Sequence, residues 1–225
     1  MQVPVASICL HGRLLLAENA RGLVIVANGD GDHLYDETNA YVARRLADAG
    51  FATLVVDLLT PSEAAEDAET SELRFHQSLL ASRLVKVTQW ISGRPVFRDL
   101  EIGYFASGLC AGASLAAASV DDAVRAVVCR GARVDLVVPQ LHRVRAPVLL
   151  LVGERDTAHI AESRGAYWLL PESARLEVVP NAGHLLDDAM ALDRVAREAE
   201  GWFGDALDTT TADLGVIDGM LAGVP

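Results

Sequence analysis

The chain has 225 residues, 51% of them hydrophobic, with 31 acidic against 19 basic side chains and a formal net charge of −12. That length and apolar content suit one large folded domain and exclude an intrinsically disordered chain. The negative charge argues against nucleic acid and anionic lipid as partners, since both would be repelled at long range.

Short apolar runs alternate with longer helical patterns, the mark of a βαβ architecture. Residues 3–9 and 13–17 read as an antiparallel hairpin joined across His11-Gly12 at the sheet edge. A strand at 23–27 runs into Asn28-Gly29-Asp30-Gly31, and a helix follows at 37–49, with Tyr41, Val42, Arg45, Leu46 and Ala49 along one stripe. Gly50 stands where a left-handed cap ends such a helix. After a strand at 52–57, the acidic stretch 62–72 reads as a solvated loop leading into a helix at 71–91. Strands at 100–107, 126–130, 148–152 and 176–179 then alternate with helices at 111–119, 159–169 and 189–203. The expected fold is α/β, a mostly parallel sheet of about eight strands with helices on both faces. Residues 1–207 form one domain in this reading. In the tail, 208–225, Leu214, Val216, Ile217, Met220 and Leu221 are spaced for a short amphipathic helix docking on the body or on a second copy, which makes a homodimer an expectation.

No apolar run approaches the ~20 residues that span a bilayer. Residues 1–20 lack the basic start and apolar stretch of a secretory leader. Three cysteines at irregular spacing fit reduced thiols, so the expected location is the cytoplasm.

The chemistry centres on Gly108-Leu109-Cys110-Ala111-Gly112, between a strand and a small-residue helix. This G-x-C-x-G turn is the cysteine counterpart of the nucleophile elbow, in which near-bare neighbours let strand and helix approach. A helix N-terminus facing the sulfur favours thiolate, and the Ala111 N–H becomes an oxyanion donor. Cys9 and Cys129 sit in apolar strand patterns and read as core. Ser107 is a rival nucleophile, without a glycine two residues ahead of it. Asp156 lies just beyond the 148–152 strand, at the sheet edge where α/β proteins build sites; it also suits a helix N-cap. His184 lies in the loop after the next strand. Nucleophile, acid and histidine, each after a successive strand, is the chain order of α/β-hydrolase triads. The loop at Asn28–Gly31 occupies the place that supplies a second oxyanion N–H. A dinucleotide site there lacks its third glycine, and Asp30 and Asp32 would repel pyrophosphate. The candidate residues are too dispersed for a local zinc motif, so neither metal nor cofactor is expected.

With these motifs the chain resembles the dienelactone hydrolase family, and most closely a bacterial subgroup of short α/β-hydrolases, some fused to phosphoribosyltransferase domains. The matching stretches are 22–31, 41–61, 74–90, 102–118, 126–136, 145–156 and 176–203. The resemblance implies the α/β-hydrolase fold, a nucleophile at Cys110, an acid at Asp156, a base at His184, and oxyanion donors at Ala111 and Asp30. It implies hydrolysis of a small ester, lactone or thioester. Two departures stand out: Asn28-Gly29-Asp30 replaces the subgroup's His-Gly-Ser, and cysteine stands where serine is common. Arg74 and Arg130 are candidate substrate-binding cations for a carboxylate-bearing small molecule. The other reading is a non-catalytic member of the fold that binds a small molecule or a partner.

Overall fold

Strands that are apolar on both faces must be covered on both sides, and β4 (Leu23–Asn28) is buried along all six residues. The computed structural model describes residues 1–29 and 37–207, and the backbone of 212–213. In chain order it contains β1 (Gln2–Val5), β2 (Ile8–Leu15), β3 (Asn19–Ala20), β4, α1 (Glu37–Asp48), β5 (Ala52–Asp57), α2 (Pro61–Thr70), α3 (Gln77–Ser92), β6 (Ile102–Ser107), α4 (Gly108–Ala118), β7 (Val124–Arg130), α5 (Val138–Leu141), β8 (Val148–Gly153), α6 (Thr157–Tyr167), β9 (Arg175–Val179), α7 (Ala189–Ala206) and β10 (Ala212–Asp213).

Eight strands form one sheet in the order β1-β2-β5-β4-β6-β7-β8-β9. The pairings β1–β2 and β2–β5 are antiparallel and the remainder parallel. One face is covered mainly by α3 and α4, through residues such as Leu80, Leu84, Val87, Ala113 and Leu115. On the other lie α1 and α7, through Val42, Leu46, Val195 and Phe203. Register aligns Asn28 with Asp57 and Ser107 with Arg130. Four parallel strands therefore end together, and the loops that follow them share one edge.

The predicted elements are present, with corrections at their ends. The opening hairpin turns at Ala6, which takes φ 53°, while His11 and Gly12 lie inside β2. Cys9, expected in the core, is exposed: β2 alternates, and burying Leu10 turns Cys9 outward. The acidic stretch expected to be a loop contains a helix, α2. Thr60 caps it in a reciprocal capping box with Glu63, Pro61 follows the cap, and Ser71 closes it in a left-handed conformation. Arg83 grips Glu63 with two hydrogen bonds of 2.8 and 2.6 Å, and a third, of 2.7 Å, goes to the Leu58 carbonyl. Gly50 takes φ 90° after α1, as expected. Of the tail, 212–213 pair as a strand with β3; the helix expected from Leu214 to Leu221 lies outside the described residues. No helix among the described residues is long and apolar enough to cross a membrane.

Candidate active site

The site opens where β4, β6 and β7 end, in a cavity of about 250 Å³ lined by Asn28, Ser107, Gly108, Cys110, Arg130 and His184, among others. Its Asp156–His184 half is built by two loops pressed together. The turn from Gly153 to Asp156 follows β8, and residues 180–188 follow β9. Backbone N–H groups of Glu154 and Arg155 donate to the carbonyls of Val179 and Ala182, at 2.9 and 3.0 Å. A side chain on Gly153 would collide with the Gly183 carbonyl, so only glycine permits this approach.

Across that contact, His184 Nδ1 lies 2.6 Å from Asp156 Oδ2. The same carboxylate has two further partners. His159 Nδ1 lies 2.7 Å from Oδ1, and the His159 backbone N–H donates to Oδ1 at 3.4 Å, capping α6. Asp156 thus caps α6 and also meets His184. The two imidazoles stack, with centroids 4.3 Å apart. Burial of Asp156 works against its charge, but the hydrogen bonds from His159 and His184 prevail and hold its carboxyl below the usual range. With Nδ1 engaged, His184 presents Nε2 as its remaining ring nitrogen; the ring bonds to no described residue except Asp156.

The nucleophile half differs from expectation. The residue at the strand–helix bend with positive φ is Gly108, at 54°. It follows Ser107, the last residue in register with β7. Cys110 lies two residues further on, inside α4, only 1% exposed. Its sulfur faces the β4 loop so closely that a side chain on Gly29 would collide with it. The strained bend expected at Cys110 is therefore at Gly108, which has no side chain. The oxyanion expectation changes with it. Ser107 is the N-cap, so Ala111 N–H is the first the helix engages. The N–H groups that α4 leaves over belong to Gly108, Leu109 and Cys110.

Asp30 lies outside the described residues. Ser107 ends β6 in an extended conformation and its hydroxyl receives a hydrogen bond from Asn39 at 3.4 Å. Asn39 also donates to Asn28 at 2.6 Å, a buried pair in the cavity wall. Arg130 reaches the cavity from the end of β7, 6% exposed, and donates to Thr38 at 3.0 Å. Arg74 does not line it: its guanidinium pairs with the buried carboxylate of Asp67 at 2.6 Å and holds the α2–α3 connection. Cys129 is fully buried, and burial pushes its thiol up to about 12, as suits a core cysteine. The sequence reading did not place His159 on the Asp156 carboxylate or the bend at Gly108. The signals were a histidine three residues after the acid, and a glycine directly after the strand's last paired residue.

An eight-stranded, mostly parallel sheet with an aspartate and a histidine meeting from successive loops is the α/β-hydrolase fold. The family model for the dienelactone hydrolase family matches residues 10–189. A crystal structure of dienelactone hydrolase from Anabaena variabilis is 42% identical, with a TM-score of 0.89, over 92% of this chain and 96% of that one. A putative phosphoribosyl transferase of Mycobacterium tuberculosis is 41% identical over 208 residues, 92% of this chain and 46% of the relative. The chain spans about half the length of that relative. Est1E from Butyrivibrio proteoclasticus shares the fold at 16% identity and a TM-score of 0.74, over 91% of this chain and 97% of that one. The chain belongs to the dienelactone hydrolase family.

Proposed function

We propose that this chain hydrolyses a small ester, lactone or thioester in the cavity at the carboxyl edge of its sheet, through an acyl-enzyme on Cys110. His184 takes the thiol proton, and the sulfur attacks the carbonyl carbon. The oxyanion is received by the first-turn N–H groups of α4. As the intermediate collapses, the leaving alcohol or thiol takes the proton from His184. His184 then deprotonates a water that attacks the acyl-cysteine, which releases the acid and restores the thiol. Asp156 fixes the ring's tautomer and stabilises its charged form. The scheme requires neither metal nor cofactor, its partner is a small molecule, and it suits the cytoplasm, where thiols stay reduced.

The observation that carries this reading is the 2.6 Å Asp156–His184 pair opening onto the same cavity as Cys110. Arg130, buried in the cavity wall, suits a carboxylate-bearing substrate. Two observations favour a second reading, ligand binding without turnover: the bend residue is Gly108, and the His184 ring makes no hydrogen bond to Cys110.

Cys110→Ala and His184→Ala are tested on p-nitrophenyl acetate and a short acyl thioester. Each is expected to lose about 10³-fold or more in kcat/KM. Turnover lost only in His184→Ala would make water the direct attacker and remove the acyl-cysteine. Turnover that neither change alters would remove the site. In a Cys9→Ser background, alkylation of Cys110 by iodoacetamide well below pH 8.5, the ordinary thiol range, would mark an activated sulfur.

A further inference from the structure

His159 has no part in the scheme above, yet it occupies half of the carboxylate on which that scheme depends. Each Asp156 oxygen takes one imidazole, Oδ1 that of His159 at 2.7 Å and Oδ2 that of His184 at 2.6 Å. The carboxylate is pinned on its far side by two donors from one residue, the ring and the backbone N–H of His159. A carboxylate held at one oxygen has little freedom to rotate, so its other oxygen stays aimed at His184. The rings also stack face to face at 4.3 Å, close enough for a charge on one to be felt by the other. Asp156 is 9% exposed, His159 21% and His184 37%, so the pair next to the cavity is only partly screened by water.

We propose that His159 is a positioning residue of this hydrolytic site, which holds Asp156 in place and competes with His184 for its charge. The proposal rests on the reading of Asp156 and His184 as acid and base. Histidine is the side chain that ordinarily changes charge between pH 5 and 8. With His159 uncharged, Asp156 lends its full charge to a protonated His184. With His159 protonated, that charge is divided and the stacked ring repels a second proton. The groups facing His159 are Asp156 after β8, His184 after β9, Glu162 one turn along α6 at 3.9 Å, and Asp135 with its partner Arg133 in the turn before α5. Glu162 and Asp135 are acidic and Arg133 is basic, and none of the three hydrogen-bonds to His184. The two rings therefore share one carboxylate and lie face to face, so a charge on either acts directly on the other.

The test follows the ring Cε1–H resonances of both histidines by NMR from pH 4 to 9, in the wild type, His159→Gln and His159→Ala. Glutamine can still donate to Oδ1 but carries no charge; alanine removes donor and charge together. The His184 midpoint should rise by about half a pH unit in His159→Gln, a threefold gain in proton affinity, and further in His159→Ala. The acid limb of kcat/KM for p-nitrophenyl acetate should move up with it. A His184 midpoint unchanged in both variants, or a uniform loss of rate with the limb in place, would overturn the proposal and leave His159 a structural cap partner. The resonances report without turnover. A shifted midpoint in a protein whose activity survives His184→Ala would defeat the acid–base reading while supporting the shared carboxylate.

Discussion

The two halves of the cavity wall are built to different degrees of completion. On the acid–base side, Asp156 and His184 sit on loops stitched together by backbone hydrogen bonds, with a third residue steadying the carboxylate. On the nucleophile side, the bend ends in Gly108, and the nearest sulfur is two residues into a helix and 1% exposed. An acid–histidine pair can thus persist beside a bend that holds no side chain. The two halves answer to separate constraints, one to loop packing and the other to what a strained residue presents.

The sharpest way to break that contrast is Asp156→Asn. It should lower kcat/KM about 10⁴-fold if His184 is the working base, because the amide favours the wrong ring tautomer. A rate within tenfold of the wild type would show that the complete-looking half is not the working one.

Gly108→Ser probes the other half. It should cost about 1–2 kcal/mol in urea unfolding, since a side chain now occupies a left-handed backbone. It should also give a burst of p-nitrophenol that survives Cys110→Ala, as the added hydroxyl takes the bend. No burst in that double variant would mean that the bend does not aim its side chain at His184.

A control far from either half is Glu63, where the Arg83 guanidinium overcomes burial and, with Thr60, holds the carboxyl at about 2. A depressed carboxyl stabilises the fold above its unfolded value and loses that contribution as pH falls toward 2. Glu63→Gln should therefore cost about 2 kcal/mol at pH 7, allowing for partial exposure, and the gap should close between pH 4.5 and 2. A gap that is constant with pH would detach the ion pair from stability.

Much of this was legible in the sequence. The strands that end at the site announced themselves as runs of Val, Ile and Leu, and Asp156 and His184 were placed because each follows such a run. The bend was misplaced for a physical reason. Gly108 and Gly112 flank Cys110 symmetrically, and spacing alone cannot say which residue takes positive φ. Pairing decides it, since Ser107 opposite Arg130 is the last rung and the next residue must turn. The helix at Pro61–Thr70 was missed although Thr60 and Glu63 spelled its start, because its acidic composition suggested solvent. The double use of Asp156 depends on two side-chain rotamers meeting across separate loops, which no local pattern encodes.

That double use has a consequence for how the protein can drift. One side chain begins a helix and orients an imidazole, so most replacements at Asp156 would cost scaffold and chemistry together, asparagine, an equally good cap, being the exception. A lineage that abandoned turnover would still be pressed to keep a capping side chain there, and the survival of aspartate in a descendant would testify to architecture as much as to activity.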